Sequence, residues 1–582
     1  MKVTVHKNNL TAGELHPELL GRTDLPQYAA SAITLRNAIP VTMGGVKKRG
    51  GTRIMASVEN AQCRVVPFVS AAGGESLVLL TPSRLRVWSV GSGWVYDTTT
   101  PYTSVVQLGV AQNRDAMFFV DGLTQPRWLR TNAGVWSLQV FSFDFLPMDE
   151  FSPTPEYGLT PSGKDIDTII TLTLDSPGVW SADDALLGKV VEINGGLCQI
   201  VSATTGDAVA QAKVIEPLRS TVKAIAKAWT LKEPVWGGSN VWPAAVTIYK
   251  QRLVFASTPT RPDVIWFSRV GNFHNFQETT NDADAFAVVS SAARGHIISA
   301  LADIGDLAVL TSTGEFVVDS GDAPLSPTTV RIRQQSQYGC TFDVDPVVVG
   351  KELVFVQRSK KRLRSLRYDY QANGYVSPDL SLLASHIAES HGGIVDIAYM
   401  QEPDSLLWLA LGDGKAATVT LNRDQQVMAW ALHDFGGAVK GLAVLGAEDT
   451  VYLLVQRGAA LNIERYTPDQ FRDAAAADGS GGELYRVTVS LPAPELQNPP
   501  ATLMQHRAKI DRLTVAVYQS GPVSINGRLL QWPGAVLNYT GRHELALSGW
   551  SDLHQQTVTI EQTSDQPLRL LSVVYNLSVN EK

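Results

Sequence analysis

Four stretches between Ile297 and Tyr466 repeat one pattern: an apolar strand, a turn of Gly, Asp or Asn, a second strand, a tight turn, and a third strand ending near an aromatic. They are IISALADIGDLAVLTSTGEFVVDSG from Ile297, DVDPVVVGKELVFVQRSKKRLRSLRYDY from Asp343, IVDIAYMQEPDSLLWLALGDGKAATVTL from Ile394 and VKGLAVLGAEDTVYLLVQRGAALNIERY from Val439. Their second strands, LAVL, LVFV, LLWLAL and VYLLV, recur about every 45 to 50 residues, the spacing of propeller blades rather than of helical repeats. Earlier copies fit the same template: RVVPFVSAAGGESLVLLTPSRLRVWSV from Arg64, the stretch from Ser104 with MFFV and RWLR, and AAVTIYKQRLVFASTPTRPDVIWFSRV from Ala244. The expected fold is mainly β, a β-propeller of about seven blades whose circular closure removes the exposed edges of a row of hairpins.

The rest of the chain is organised around that repeat. Residues 1–55 read as an N-terminal arm, in which Leu25, Tyr28, Ala32, Leu35 and Ile39 form the stripe of an amphipathic helix over Asp24–Pro40, with Asp24 as N-cap and Pro26 in the first turn. Blades occupy 56–150 and 244–470. Between them, 151–243 opens on Pro153, Pro155 and Pro161 and continues as short strands, a small β-barrel inserted into a propeller loop. Its Trp180, Trp229, Trp236 and Trp242 could stack sugars, but packing is the commoner use. FRDAAAADGSGGE makes 471–482 a flexible linker. Period-two alternation over 483–582 predicts a C-terminal β-sandwich.

Composition excludes several classes. Lys plus Arg number 49 against 56 Asp plus Glu, a net charge of −7 that argues against a surface gripping nucleic acid or anionic lipid throughout. Cys63, Cys198 and Cys340 are far apart and odd in number, so neither a disulfide framework nor a CxxC site is expected, and a reducing cytosol is the natural folding compartment. No stretch approaches 18 apolar residues, and MKVTVHKNNLTAGELHPE lacks the apolar core of a secretion signal.

Catalytic and cofactor motifs are similarly weak. HIAESH at His386–His391 lacks the HExxH spacing and lies in a strand-flanking loop rather than a helix. GDGKAAT at Gly412–Thr418 lacks the first Gly of a phosphate loop and sits in a hairpin turn. There is no GxSxG elbow, and Cys340 has no assignable His. Asp282 and Asp284 could pair for glycoside hydrolysis, although two aspartates in one turn are more often backbone caps. No enzyme activity, metal or cofactor is expected.

Two basic clusters stand out. Lys47, Lys48, Arg49 and Arg53, flanked by Gly44, Gly45, Gly50 and Gly51, form either a solvated hairpin or an arm that docks on a neighbouring subunit or a phosphate backbone. Arg358, Lys360, Lys361, Arg362, Arg364 and Arg367 lie in a tight hairpin with no acid among them. Strand spacing puts Lys360, Arg362 and Arg364 on one side, either as a solvated loop or salt-bridged face, or as a basic ring facing DNA phosphates.

GELHPELLGRTDLPQYA followed by GGVKKRGGTR resembles the opening of the tail nozzle, or tail tubular protein B-like, proteins of short-tailed bacteriophages and prophages. The likeness continues in order through QRLVFAST, PDVIWFSRVGNFHNF, NDADAF, QSQYG, LVFVQR and DLSLLASHI, and departs where Lys48-Arg49-Gly50-Gly51-Thr52 replaces an Arg-Arg-Pro-Gly-Thr turn. The missing Pro removes a fixed φ, which questions the rigidity of that turn. The resemblance implies a structural virion protein of the tail, assembled in the host cytoplasm, with six copies ringed around a channel that ejects double-stranded DNA. It further implies partners: a tail adaptor or tubular protein above, tail fibres or spikes, DNA in transit and the host envelope. The alternative of another class is a glycan-binding or glycan-cleaving tail protein on a propeller; WD and kelch signatures of an intracellular scaffold are missing.

Overall fold

Apolar runs of four to eight residues punctuated by Gly, Asn, Asp and Ser turns favour hairpins, and the chain folds as a series of antiparallel meanders. The computed structural model describes residues 2–59, 62–150, 156–176, 187–203, 208–237, 241–279, 281–291, 295–446, 448–497, 500–501, 507–532, 538–547, 549–553 and 556–580. Pro153, Pro155 and Trp180 lie outside them. The fold is mainly β, and its α-helices among the described residues are two short ones, Pro26–Ala29 and Ser385–Ser390.

Each of the seven repeat-like stretches is a meander, over 64–99, 109–140, 245–289, 298–336, 347–376, 394–433 and 438–467. The sequence showed three strands in the later copies; the structure adds a fourth to each. In six meanders the fourth strand follows directly, as with Arg331–Ser336 and Val427–His433. The seventh takes its outer strand, Gly51–Val58, from the N-terminal segment, paired antiparallel with Ala460–Thr467.

Neighbouring meanders share apolar clusters. Phe68 and Leu80 meet Phe119 of the second, Phe118 meets Phe255 and Trp266 of the third, and Phe267 meets Val309 of the fourth. Leu310 then packs with Phe355, Val354 with Leu409, and Trp408 with Leu453. Finally Leu454 and Ile463 of the seventh pack with Val65 and Leu79 of the first, so the series returns to its start in a propeller-like ring.

The stretch between the second and third meanders forms a seven-stranded antiparallel sheet from Met148–Glu150 to Trp229–Pro234, wrapped around Leu172, Val191, Ile200 and Val214. In the C-terminal part, Arg507–Ser520 and Arg569–Val579 pair along most of their length, and Val487–Leu491 pairs with Val558–Gln562 in a second sheet. Val489, Val515, Ile560 and Tyr575 fill the space between the sheets.

The N-terminal segment corrects two expectations. The helix over 24–40 is reduced to Pro26–Ala29; Ser31–Ala32, Thr34–Arg36 and Ala38–Pro40 are strands. Asp24 does not cap a helix but pairs with Arg22. Asn37 at φ 55° breaks any helical run, and Thr34–Arg36 finds backbone partners in Val487–Leu491 on one side and in the sixth meander on the other. Ala32, Leu35 and Ile39 are buried as expected, but in extended chain. The N-terminal segment therefore contributes to both C-terminal sheets, since Lys2–Lys7 pairs with Arg569–Val579 as well. Nor is 471–482 a free linker: the Thr52 N–H donates to the Arg472 carbonyl at 3.0 Å, and Ile54 and Thr52 exchange bonds with Ala475.

Candidate functional site

The basic residues read as a docking arm are spent inside their own chain. Arg49 is fully buried, and all five of its N–H groups are used. Nε donates to Asn37 Oδ1 at 2.9 Å, Nη1 to the Gly50 carbonyl and Asp473 Oδ1, and Nη2 to the Asp434 carbonyl and Asp473 Oδ2 at 2.6 Å. Phe435 and Tyr485 sandwich the guanidinium, 4.0 and 3.8 Å from its carbon. Burial opposes the charge, but Asp473 outweighs it and holds the Arg49 pKa above its ordinary value. Lys48 is buried against the Ser564 carbonyl, Lys47 pairs with Asp404, and Arg53 Nε donates to Gln470. The cluster is a clasp between the N-terminal segment, the ring and the C-terminal sheets. Its turn needs no Pro: a side chain on Gly50 would fall on the Thr467 carbonyl, and the Gly50 N–H, which Pro would lack, donates to Tyr466 Oη at 2.9 Å.

The second basic cluster is largely neutralised. Lys360 sits in the hairpin turn at φ 60° and donates to Asp343 at 2.5 Å, and Arg362 pairs with Glu389 at 3.0 Å. Arg364 lies 3.4 Å over the Tyr338 ring and donates to the Ser377 carbonyl. The strand begins only at Leu363, so Lys360, Arg362 and Arg364 do not form one strand face as spacing suggested. Lys361 and Arg358 remain exposed.

A feature not picked out from the sequence lies inside the ring. The first strands of the first, fifth, sixth and seventh meanders enclose a cavity of about 310 Å³, lined by Arg64, Asp345, Asp396, Tyr399 and Val444 among others. It adjoins a hollow of about 470 Å³ bounded by Asp343, Lys360 and Lys440. Arg64 reaches across from the first meander to Asp345 before the fifth, and Gln107 reaches Asp343 at 3.3 Å. Both contacts join meanders that are not neighbours, so they bridge the interior. Asp396 accepts the Leu442 N–H at 2.7 Å and the Ile397 N–H at 2.9 Å. Burial pushes its carboxyl up to about 7, against the pull of these bonds and of Arg64. The available signal was a lone acid in the apolar run IVDIAYM.

The remaining candidates are structural. Ser385–Ser390 is a helix, not the loop expected for HIAESH; His386 faces Glu14 at 3.0 Å and His391 faces Asp413 at 2.6 Å. Among the described residues no group of three or more His, Cys, Asp or Glu could hold a metal. Asp284 accepts from Thr279 and Asn281 and pairs with Arg269 at 3.2 Å, while the Asp282 carbonyl accepts from Arg252, so the turn is capped by its surroundings. Trp229, Trp236 and Trp242 are buried, and burial raises the Cys340 thiol to about 12.

The body is mainly β and propeller-like, and most of the basic residues singled out in the sequence are held by partners within the chain. Residues 243–524 match the family model of the bacteriophage nozzle protein, and this match supports assigning the chain to that family of phage tail structural proteins. No curated protein matches the sequence. Among solved structures it is similar to the WD40 repeats of RRP9, at 8% identity and a TM-score of 0.36 over 72% of this chain and 100% of that one. It is also similar to U3-55K, at 10% identity and 0.33 over 70% and 99%, and to the β-propeller domain of Cps50 (Swd1) of Myceliophteria thermophila, at 7% and 0.36 over 72% and 100%.

Proposed function

We propose that copies of this chain, six in number, assemble into a nozzle ring at the end of a short phage tail and line and gate the channel through which double-stranded DNA is ejected. The family match over 243–524 carries this reading. In it, the seven meanders are the blades of a closed seven-bladed propeller, 151–243 is an inserted barrel, and the C-terminal sheets with their N-terminal strands are a sandwich. The interior of one ring, bridged by Arg64 and Asp345 around a cavity of about 310 Å³, is no passage for a duplex whose major groove alone is about 12 Å wide. The channel therefore runs between copies. Duplex DNA carries about one charge per 1.7 Å, so a wall of free cations would brake it. With Lys360 and Arg362 paired with acids and Arg364 held against Tyr338, Lys361 and Arg358 are the hairpin's exposed cations without an ion pair among the described residues, which favours sliding over gripping. Above the ring sits a tail adaptor or tubular protein, with fibres or spikes and the host envelope as further partners, and assembly takes place in the host cytoplasm. The glycan-cleaving alternative gains nothing from the capped Asp284 and the buried tryptophans.

Electron microscopy of the purified protein tests the ring, and ejection kinetics of virions carrying Lys361→Glu with Arg358→Glu test the lining. A six-fold ring and altered ejection are expected. A protein that stays monomeric at all concentrations and degrades host capsule would overturn the proposal.

A further inference from the structure

The charges around the interior cavity can be balanced one by one. Arg64 is matched by Asp345, and Lys360 by Asp343. Two charges of opposite sign are left over. Among the described residues the hydrogen-bond partners of Asp396 are backbone N–H groups, one to each oxygen, and each carboxylate oxygen retains a second lone pair. Lys440, on the adjoining strand Ala438–Leu445, is exposed within the same lining. Around them the wall is apolar, from Val65, Val347, Tyr399 and Val444. A buried carboxyl whose nearest cation, Arg64, is already paired with Asp345 is costly to ionise, and its position in an accessible cavity suits an incoming ammonium group.

We propose that this cavity binds a small zwitterion, an amino acid with an apolar side chain, whose ammonium meets Asp396 and whose carboxylate meets Lys440. The volume of about 310 Å³ is at the small end of ligand pockets and suits a single residue-sized molecule. The apolar wall selects the side chain, and the two charges fix its direction. A plain amine satisfies only Asp396, and a plain carboxylate only Lys440. The site uses the ring interior of one chain and is independent of how copies assemble.

Calorimetric titration of the full chain with L-leucine, n-butylamine and butyrate tests this. Leucine is expected to bind saturably and more tightly than either half-ligand. Lys440→Ala should weaken leucine by about tenfold or more, the worth of a charged hydrogen bond, and leave n-butylamine unchanged. Asp396→Asn should abolish binding of both. Lys440 is exposed, so its variant folds whatever Asp396→Asn does. No saturable leucine binding to the parent protein, or equal binding by the parent and Lys440→Ala, overturns the proposal.

Discussion

Replacing Arg49 by Met removes a guanidinium that is 0% exposed and leaves the Asp473 carboxylate, 3% exposed, without its ion-pair partner. Breaking a buried pair from one side costs about 3–5 kcal/mol, because the orphaned charge keeps its full desolvation penalty. The Asn37 side chain and the Gly50 and Asp434 carbonyls lose a donor as well, placing the expected cost at the upper end of that range. Removing both charges in Arg49→Met with Asp473→Leu should recover much of the loss, since an apolar pair of similar volume is often neutral. Arg49→Lys should rescue little, as an ammonium can neither form the two-pronged bond to Asp473 nor stack as a plate between Phe435 and Tyr485. Urea unfolding followed by tryptophan fluorescence gives the free energies, and limited proteolysis across 471–483 reports whether the clasp has opened. A single-variant loss below about 1 kcal/mol, or a double variant costing the sum of both singles, would refute the idea that this pair joins the ring to the C-terminal sheets.

Three further outcomes are expected. The Asp396 carboxyl titrates near 7 instead of 3.8, so its contribution to stability is complete below about pH 4 and lost by about pH 7; the melting temperature of the parent relative to Asp396→Asn should fall across that window. Lys7 has the opposite sign: burial lowers it from 10.5 to about 7, so the parent should gain stability relative to Lys7→Met as pH rises from 7 to 10. Gly51→Ala would put a methyl group on the Arg472 carbonyl and should cost about 1–3 kcal/mol in denaturant titrations, with the backbone forced to shift.

The parts legible in the sequence were those in which neighbouring residues determine structure. Strands such as LLWLAL and VYLLV announce themselves by apolar runs between turn residues, and each of the seven stretches they mark is a meander. What stayed hidden depends on partners remote in sequence. The stripe Leu25, Tyr28, Ala32, Leu35, Ile39 has helical spacing, yet Thr34–Arg36 is claimed by a strand some 450 residues downstream, and period gives no hint of that. The positive residues around Arg49 looked solvent-facing because Asp473 lies 424 positions away. The same distance disguised 471–482, whose small residues suggest mobility but serve close backbone approach to Thr52 and Ile54. The hairpin at Lys360–Arg364 had no acid within it, and its neutralising partners arrive from elsewhere, Asp343 and Asp379 from flanking loops and Glu389 from the helix Ser385–Ser390.

The outer strand Gly51–Val58 ties the seventh meander to the opposite end of the chain, which has a consequence for biosynthesis. Its partner Ala460–Thr467 is translated about 400 residues later, about 20–80 s at ordinary ribosomal rates. For that interval the nascent chain carries an unsatisfied sticky edge near its beginning, and the circle cannot be sealed until its last meander leaves the exit tunnel. Slow elongation or premature termination before residue 460 would thus yield an open, aggregation-prone arc, whereas a permuted chain beginning after Val58 and carrying that strand behind Thr467 would close without waiting.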